Sequence, residues 1–108
     1  RNYLNDARFT RLFIKDRVKL KGWGPIRLRH ELNAKRIAKV IIEDELELAR
    51  STFNFDALAQ QFVERKLSSL PHPTQKDKKR LWSWLQRRGF EGAAIQAALD
   101  QHTFIFET

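Results

Sequence analysis

The 108-residue sequence contains no cysteine, which excludes disulfide bonds and thiolate metal ligands and fits a reducing, cytoplasmic location. Methionine is also absent and the chain begins at Arg1, so we expect that an N-terminal piece is missing. No apolar run approaches the roughly 18 residues that a membrane-spanning helix needs, and the first residues lack the apolar stretch of a signal peptide. We therefore expect a protein without a membrane segment.

Glycine is scarce, and the four glycines form no glycine-rich loop of the kind that cradles phosphate in nucleotide-binding proteins. Gly22 and Gly24 instead flank Trp23 and precede Pro25, a pattern typical of a turn between two helices. The histidines lack the spacing of metal ligands and stand at His30, His72 and His102. We expect neither a cofactor nor a metal site.

What the sequence does contain is an internal repeat of about 50 residues, which is typical of tandem arrays. In such arrays each unit packs partly on itself and partly on its neighbour, which favours an extended interaction surface over a single catalytic cleft. The predicted units are residues 1–53 and 54–108. At a spacing of 53 the corresponding pairs are Leu28 and Leu81, Leu32 and Leu85, Ile37 and Phe90, Ile42 and Ile95, and Leu46 and Leu99. At a spacing of 49 they are Phe9 and Leu58, and Phe13 and Phe62.

Helical periodicity predicts an all-α fold in which tandem three-helix repeats form an elongated array. Helix 1 is predicted to run from Asp6 to Leu20. A break at residues 35–37 is predicted after helix 2, and residues 71–75 are predicted to form a linker. Gly89 is predicted to cap the C-terminus of helix 5. The predicted buried residues are Phe9, Leu12 and Phe13 in helix 1, Leu28 and Leu32 in helix 2, Ile41, Ile42, Leu46 and Ala49 in helix 3, Phe55, Leu58, Ala59 and Phe62 in helix 4, Leu81, Trp84 and Leu85 in helix 5, and Ala94, Ile95, Ala98 and Leu99 in helix 6.

Charge alternates with the repeat. The chain carries a net charge of +8, and residues 1–37 alone hold eleven Lys and Arg against three Asp and Glu. Residues 38–57 hold two basic and five acidic residues, residues 58–90 hold eight and two, and residues 91–108 hold none and three. The first two helices of each unit are therefore basic and the third is acidic, which predicts an anionic partner such as nucleic acid or an acidic protein groove.

The candidate binding residues are basic side chains at matching places in both units, although a solvated surface is the other interpretation of each one. Of the tryptophans, Trp82 could stack on bases, whereas Trp84 shares a helix face with apolar residues and Trp23 is expected to fill a gap between helices. The candidates for filament or DNA binding are Arg27, Arg29, Lys35, Lys78, Lys79, Arg80, Arg87 and Arg88, with Arg36 and Lys76 beside them.

Helices 2 and 3 could also form a DNA-reading helix-turn-helix, whose second helix enters the major groove. That helix here is acidic and would be repelled by phosphates, so we favour two short helices that pack at an angle. A small nuclease or resolvase that uses some of these acids with a metal is an enzyme alternative. The helix carries Glu43, Asp44, Glu45 and Glu47, of which the enzyme alternative would use Glu43, Asp44 or Glu47.

The first unit resembles a known family. The residues that carry the resemblance are Asp6, Arg8, Phe9 and Arg17, then Gly22-Trp23-Gly24-Pro25 and Arg27-Leu28-Arg29-His30-Glu31-Leu32. This pattern resembles the middle repeat of the RecX family of bacterial recombination regulators, and residues 78–90, which end in Arg88-Gly89-Phe90, resemble the family's last repeat. Arg36 departs from the pattern, which usually has glycine there, so we expect this helix end to be less tightly capped.

The resemblance implies a non-enzymatic protein that lies in the helical groove of the RecA filament and inhibits its ATPase, strand-exchange and co-protease activities in DNA repair and the SOS response. It also implies that the first of the family's three repeats is absent from this chain. We expect a monomer whose partners are the RecA filament and, weakly or through the filament, single-stranded DNA. A nonspecific nucleic-acid-binding helical protein without a recombinase partner is the main alternative.

Overall fold

The computed structural model describes residues 3–106, and within that range it is all-α, as the sequence predicted. The helices are α1 Tyr3–Lys21, α2 Pro25–Ala34, α3 Lys39–Thr52, α4 Phe55–Leu67, α5 Gln75–Arg88 and α6 Gly92–Asp100. The described residues form no sheet, and their isolated parallel bridge joins Thr74 to Ile105. The predicted units 1–53 and 54–108 each include two terminal residues that lie outside the described range.

The six helices form an elongated array. In the first half of the chain α3 packs on α1 and α2, and in the second half α6 packs on α4 and α5. The molecule measures 59 × 22 × 20 Å and its radius of gyration is 16.1 Å. A compact domain of this length would have a radius of gyration of about 13 Å, so the repeats are arranged along one axis.

The predicted cores of α2, α3 and α6 are confirmed. Leu28 and Ile42 are fully buried, as is Ile95, and Leu81 is 6% exposed. Burial of such aliphatic side chains contributes about 1.5–3 kcal/mol each. The corresponding positions of the internal repeat therefore hold corresponding places in the two cores.

The prediction for helix 1 was wrong in its start and in two of its three buried residues, whereas the burial of Phe13, which is 7% exposed, is confirmed. The helix begins at Tyr3 rather than at Asp6, and Phe9 and Leu12 are 45% and 54% exposed. The side chains that face α3 lie at intervals of one turn, at Thr10, Ile14 and Val18. Thr10 can occupy a fully buried position because its hydroxyl donates a hydrogen bond of 2.7 Å to the carbonyl of Asp6. A search for apolar residues alone misses such a position.

A one-residue shift also corrects helix 4, where Leu58 and Phe62 are half-buried rather than core residues. The fully buried residues of its stripe are Ala59 and Val63. They follow Thr10 and Ile14 at the same spacing of 49. The spacing was therefore right and the predicted burial of Phe55 and Ala59 is confirmed, whereas the prediction was wrong for Leu58 and Phe62.

Helices α2 and α5 end in the same way, with a residue in the left-handed backbone conformation. The amides of this residue and of the next one donate hydrogen bonds to carbonyls in the last turn of the helix. In α5 this residue is Gly89, with φ of +94°, as predicted. In α2 it is Arg36, with φ of +62°, and the amide of Ile37 donates to the carbonyl of Leu32. The chain thus has arginine where the second repeat has glycine, in a backbone conformation that disfavours a side chain.

The linker before α5 ends one residue earlier than predicted, because Gln75 already begins the helix. Thr74 caps it, since its hydroxyl accepts from the amide of Asp77 and the Asp77 carboxylate accepts from the amide of Thr74. The C-terminal tail packs beside this cap: Phe104 is 7% exposed, and the Ile105 amide donates to the carbonyl of Pro73.

Candidate functional site

The two repeats meet where the start of α2 faces the end of α5. The amide of Gly24 donates a hydrogen bond of 2.8 Å to the carbonyl of Arg88, and the amide of Ile26 donates one of 2.9 Å to the carbonyl of Gly89. The first amides and the last carbonyls of any helix lack partners within it. Here the amides at the start of α2 donate to the carbonyls at the end of α5, so the junction has a fixed geometry.

Two glycines make this close approach possible. A Cβ atom on Gly24 would lie 2.5 Å from the carbonyl oxygen of Gly89. A Cβ atom on Gly89 would lie 2.3 Å from the Cβ atom of Arg27 and 2.4 Å from its amide nitrogen. All three distances are far below van der Waals contact, so a side chain at either position would force the repeats apart.

A cleft of about 450 Å³ opens at this junction. We call it the junction cleft, and its lining residues are Lys21, Trp23, Arg27, Trp84, Arg87 and Arg88. None of its four cations forms a salt bridge with a carboxylate in the described part of the chain. The cleft is therefore a concentrated positive site to which each repeat contributes, and three of the predicted binding residues line it.

Both tryptophans of the junction cleft carry cations on their rings. The guanidinium of Arg27 lies 4.4 Å from the ring centroid of Trp23. The guanidinium of Arg88 and the ammonium of Lys66 lie 4.6 and 4.7 Å from the ring centroid of Trp84. Such cation–π contacts hold a charged group in place without neutralising it.

Arg88 has a structural role besides its charge. It is half-buried, donates a hydrogen bond to the carbonyl of Lys21 across the junction, and lies 4.8 Å from the ring centroid of Phe62. Its Nε atom is buried without a hydrogen-bond partner. Burial, and to a lesser degree the charge of Arg27, lower the pKa of Arg88 below its ordinary value. No carboxylate among the described residues pairs with Arg88, so its positive charge is uncompensated here.

Arg29, by contrast, is neutralised within the protein. Its guanidinium donates two hydrogen bonds to Glu43 on α3, at 2.8 and 3.1 Å. These hydrogen bonds raise the pKa of Arg29 and lower that of Glu43. Arg11 and Glu45 form the same two-bond pair between α1 and α3. Two of the four acids of α3 therefore hold their own repeat together, which gives the acidic third helix an internal role.

The remaining predicted residues lie away from the junction cleft. Lys78, Lys79 and Arg80 stand at the start of α5, and the rise of an α-helix places Arg80 about 10 Å from Arg87 along the axis. Lys79 and Arg80 are exposed, and Arg80 lies 3.8 Å from Asp77. Lys35, at the end of α2, is exposed and lies 5.5 Å from the ring centroid of Phe13.

The sequence predicts that six of the basic candidates are mostly exposed, namely Arg27, Arg29, Lys78, Lys79, Arg80 and Arg87. This prediction was wrong for three of them. Arg27, Arg29 and Lys78 are half-buried. The reason is that each packs on a neighbour: Arg27 on Trp23, Arg29 on Glu43, and Lys78 over the ring of Phe104 at 5.8 Å. Their role in binding stays a prediction.

The tryptophans also differ from expectation. Trp84 was expected in the core, but it is half-buried in the junction cleft, with its ring edge-on to Phe62 at 5.4 Å. Trp23 fills a gap beside Phe13, as expected, and also lines the junction cleft. Trp82 packs half-buried against the core. The signal that could have revealed Trp23 was its place between two glycines with basic residues on both sides.

Comparison with known proteins decides the family. The family model described as "RecX, second three-helix domain" matches residues 5–46, and the one described as "RecX, third three-helix domain" matches residues 56–99. The chain belongs to the RecX family. No solved structure matches it significantly.

RecX proteins from distant bacteria are similar to this chain over most of its length. The regulatory protein RecX of Yersinia enterocolitica is 35% identical over 89% of the chain, that of Vibrio parahaemolyticus 34% identical over 92%, and that of Bacillus subtilis 34% identical over 92%. The matched parts make up 56%, 62% and 38% of these relatives. The chain thus spans less than two thirds of their length.

The nuclease or resolvase alternative receives no support from the described residues 3–106. They contain no group of three His, Asp or Glu side chains that could hold a metal ion. Glu43, a candidate ligand of the nuclease alternative, is already paired with Arg29. No helix in this range combines the length and apolarity needed to cross a membrane. RecX relatives are named regulatory proteins, which agrees with a role in binding.

Proposed function

We propose that this chain regulates the RecA recombinase by binding along its filament on DNA and thereby inhibits its ATPase, strand-exchange and co-protease activities. Membership of the RecX family and the resemblance described above support RecA as the partner. The structural observation that carries the proposal is the distribution of basic side chains over both repeats of an array 59 Å long. A monomeric, cytoplasmic protein without enzymatic activity is part of the same proposal.

The shape and charge of the array suit a groove that exposes both protein and phosphates. The cations of the junction cleft and those at the start of α5 lie on consecutive parts of the array, and the glycines of the junction hold the repeats in register. A preorganised surface loses little conformational freedom on binding, which favours affinity. The internal pairing of Glu43 and Glu45 leaves Asp44 and Glu47 on α3 to meet positive groups of a protein partner.

Charge reversal at exposed positions tests the proposal. The variant carries Lys79→Glu, Arg80→Glu and Arg87→Glu, and we expect it to bind RecA–DNA filaments more weakly and to inhibit the RecA ATPase less. Exposed substitutions usually change stability by less than about 0.5 kcal/mol each, so helicity and melting should be retained. A charge-matched control reverses the exposed residues Arg8, Lys15 and Lys19 of α1. Equal loss in the control, or no loss in the variant, would contradict the assigned surface.

The nucleic-acid-binding alternative is favoured by the unpaired cations of the junction cleft, and a competition experiment separates it from filament binding. The ATPase of preformed filaments is titrated with the protein at several DNA concentrations and at two salt concentrations. A filament regulator should inhibit at protein amounts too small to cover the DNA. Inhibition that follows only the ratio of protein to free DNA, and that disappears together with DNA binding as salt rises, would instead indicate a plain nucleic-acid binder.

A further inference from the structure

We propose that the junction cleft is a binding site for single-stranded nucleic acid, in which Arg27 and Arg87 hold a backbone phosphate and a base stacks on the indole of Trp84 or Trp23. The site does not require RecA, so it goes beyond the function proposed above. It is built by both repeats, since Trp23 and Arg27 come from the first and Trp84 and Arg87 from the second.

The charge of the junction cleft selects an anion. Four cations line it, and no carboxylate among the described residues pairs with any of them. Arg27 and Arg88 lie over tryptophan rings of the same cleft, so their like charges repel each other, and the charge of Arg27 is the lesser cause, after burial, of the lowered pKa of Arg88. An anion between these side chains would relieve the repulsion and would form charge-assisted hydrogen bonds with their guanidinium groups. Elsewhere in the molecule the comparable arginines, Arg11 and Arg29, already have carboxylate partners.

The tryptophans indicate that the anion belongs to a nucleic acid. Proteins that bind single strands combine a positive groove with aromatic rings on which bases stack. Trp23 and Trp84 are half-buried at the wall of the junction cleft, and a guanidinium already lies over each ring. A volume of about 450 Å³ falls in the range of small-ligand sites, roughly 300–1,000 Å³. An acidic peptide would meet the cations but would bring no base to stack on the indole rings.

The same geometry favours a single strand over a duplex. Bases in a duplex are paired and stacked on each other, so their faces are hidden from an indole ring. The junction cleft is also held open by backbone contacts, because the amides of Gly24 and Ile26 bond to the end of α5. The rings and cations are therefore in place before the strand arrives.

The first experiment measures binding of a labelled thymidine oligonucleotide of about 12 nucleotides to the chain without RecA, beside a duplex of equal length. We expect tighter binding of the single strand. The double variant Arg27→Gln, Arg87→Gln should lose affinity about tenfold, and loss of each phosphate contact should reduce the salt slope by about 0.7. The matched control, Arg8→Gln with Lys15→Gln, removes two exposed cations of α1 and should change affinity little. Equal effects of the two double variants, or preference for the duplex, would overturn the proposal.

The second experiment tests stacking. Saturation with the oligonucleotide should quench tryptophan fluorescence in the Trp82→Phe variant, and this quenching should be lost in the variant with Trp23→Phe and Trp84→Phe. Polyglutamate of matched charge should displace the strand poorly. Quenching that resides in Trp82, or equal displacement by polyglutamate, would show a general anionic surface and refute the assignment. Because RecA is absent from both experiments, their failure would leave the filament proposal standing, and failure of RecA inhibition would leave this site standing.

Discussion

Arg36 and Gly89 hold equivalent positions in the two repeats, but their substitutions should change the stability of the fold in opposite directions. Both adopt left-handed backbone conformations at the ends of α2 and α5. For a residue with a Cβ atom this conformation costs about 1–2 kcal/mol. Replacing Arg36 with glycine removes that cost, but it also gives the unfolded chain more freedom, which offsets about 0.4–1 kcal/mol. We expect Arg36→Gly to stabilise the fold by about 0.5–1 kcal/mol.

At Gly89 the tertiary contacts reverse the result. An alanine there would be strained at φ of +94°, and its Cβ atom would lie 2.3 Å from the Cβ atom of Arg27. Relief of this overlap would separate the repeats and break the hydrogen bonds of Gly24 and Ile26. We expect Gly89→Ala to destabilise the fold by about 2–4 kcal/mol, because backbone strain and overpacking add.

Thermal and urea unfolding of the variants provides the measurement. Arg36→Ala is the necessary control, because it loses the same charge and side-chain contacts as Arg36→Gly but retains the backbone strain. Relative to that control, Arg36→Gly should melt about 2–5 °C higher. If it is no more stable than Arg36→Ala, the left-handed conformation of Arg36 is not a source of strain. If Gly89→Ala melts like the wild type, the close junction is wrong.

Two further predictions concern α1 and the ion pair of α2. Ile14→Ala should destabilise the fold by about 2–5 kcal/mol in urea unfolding, whereas Leu12→Ala should stay within about 0.5 kcal/mol; equal effects would contradict the orientation of α1. The pKa of Glu43 is lowered by its hydrogen bonds with Arg29. As pH falls, this carboxylate is therefore protonated in the unfolded chain before it is protonated in the folded one. The wild type should consequently lose more stability than Glu43→Gln between about pH 5 and pH 3. The difference should be small because both side chains are partly exposed to solvent, and parallel pH profiles would refute the coupling.

Much of the fold follows from local features of the sequence. The buried residues of α2, α3 and α6 repeat at helical intervals, and Gly89 ends its helix because glycine tolerates a positive φ. These features act over a few residues, so they can be recognised along the chain. The internal repeat extends them, since the same pattern 53 positions later produces the same packing.

The face of α1 required the tertiary structure. Phe9 and Leu12 are as apolar as Ile14, and the sequence offers no reason to prefer one set. The decision comes from α3, which meets the side of α1 that carries Thr10, Ile14 and Val18. Thr10 satisfies its own hydroxyl within the helix, so a polar residue can enter the core at no loss of hydrogen bonding.

The candidate site shows the same division. Sequence by itself determined that the chain is basic, that its charge alternates with the repeat, and that Arg27, Arg87 and Arg88 are candidates. Only the tertiary structure decided that these three share one cleft with Trp23 and Trp84, while Arg29 is held by Glu43. The physical reason is distance along the chain: Arg27 and Arg87 are 60 residues apart, and they meet because the backbone at Gly24 and Gly89 allows two helix ends to touch.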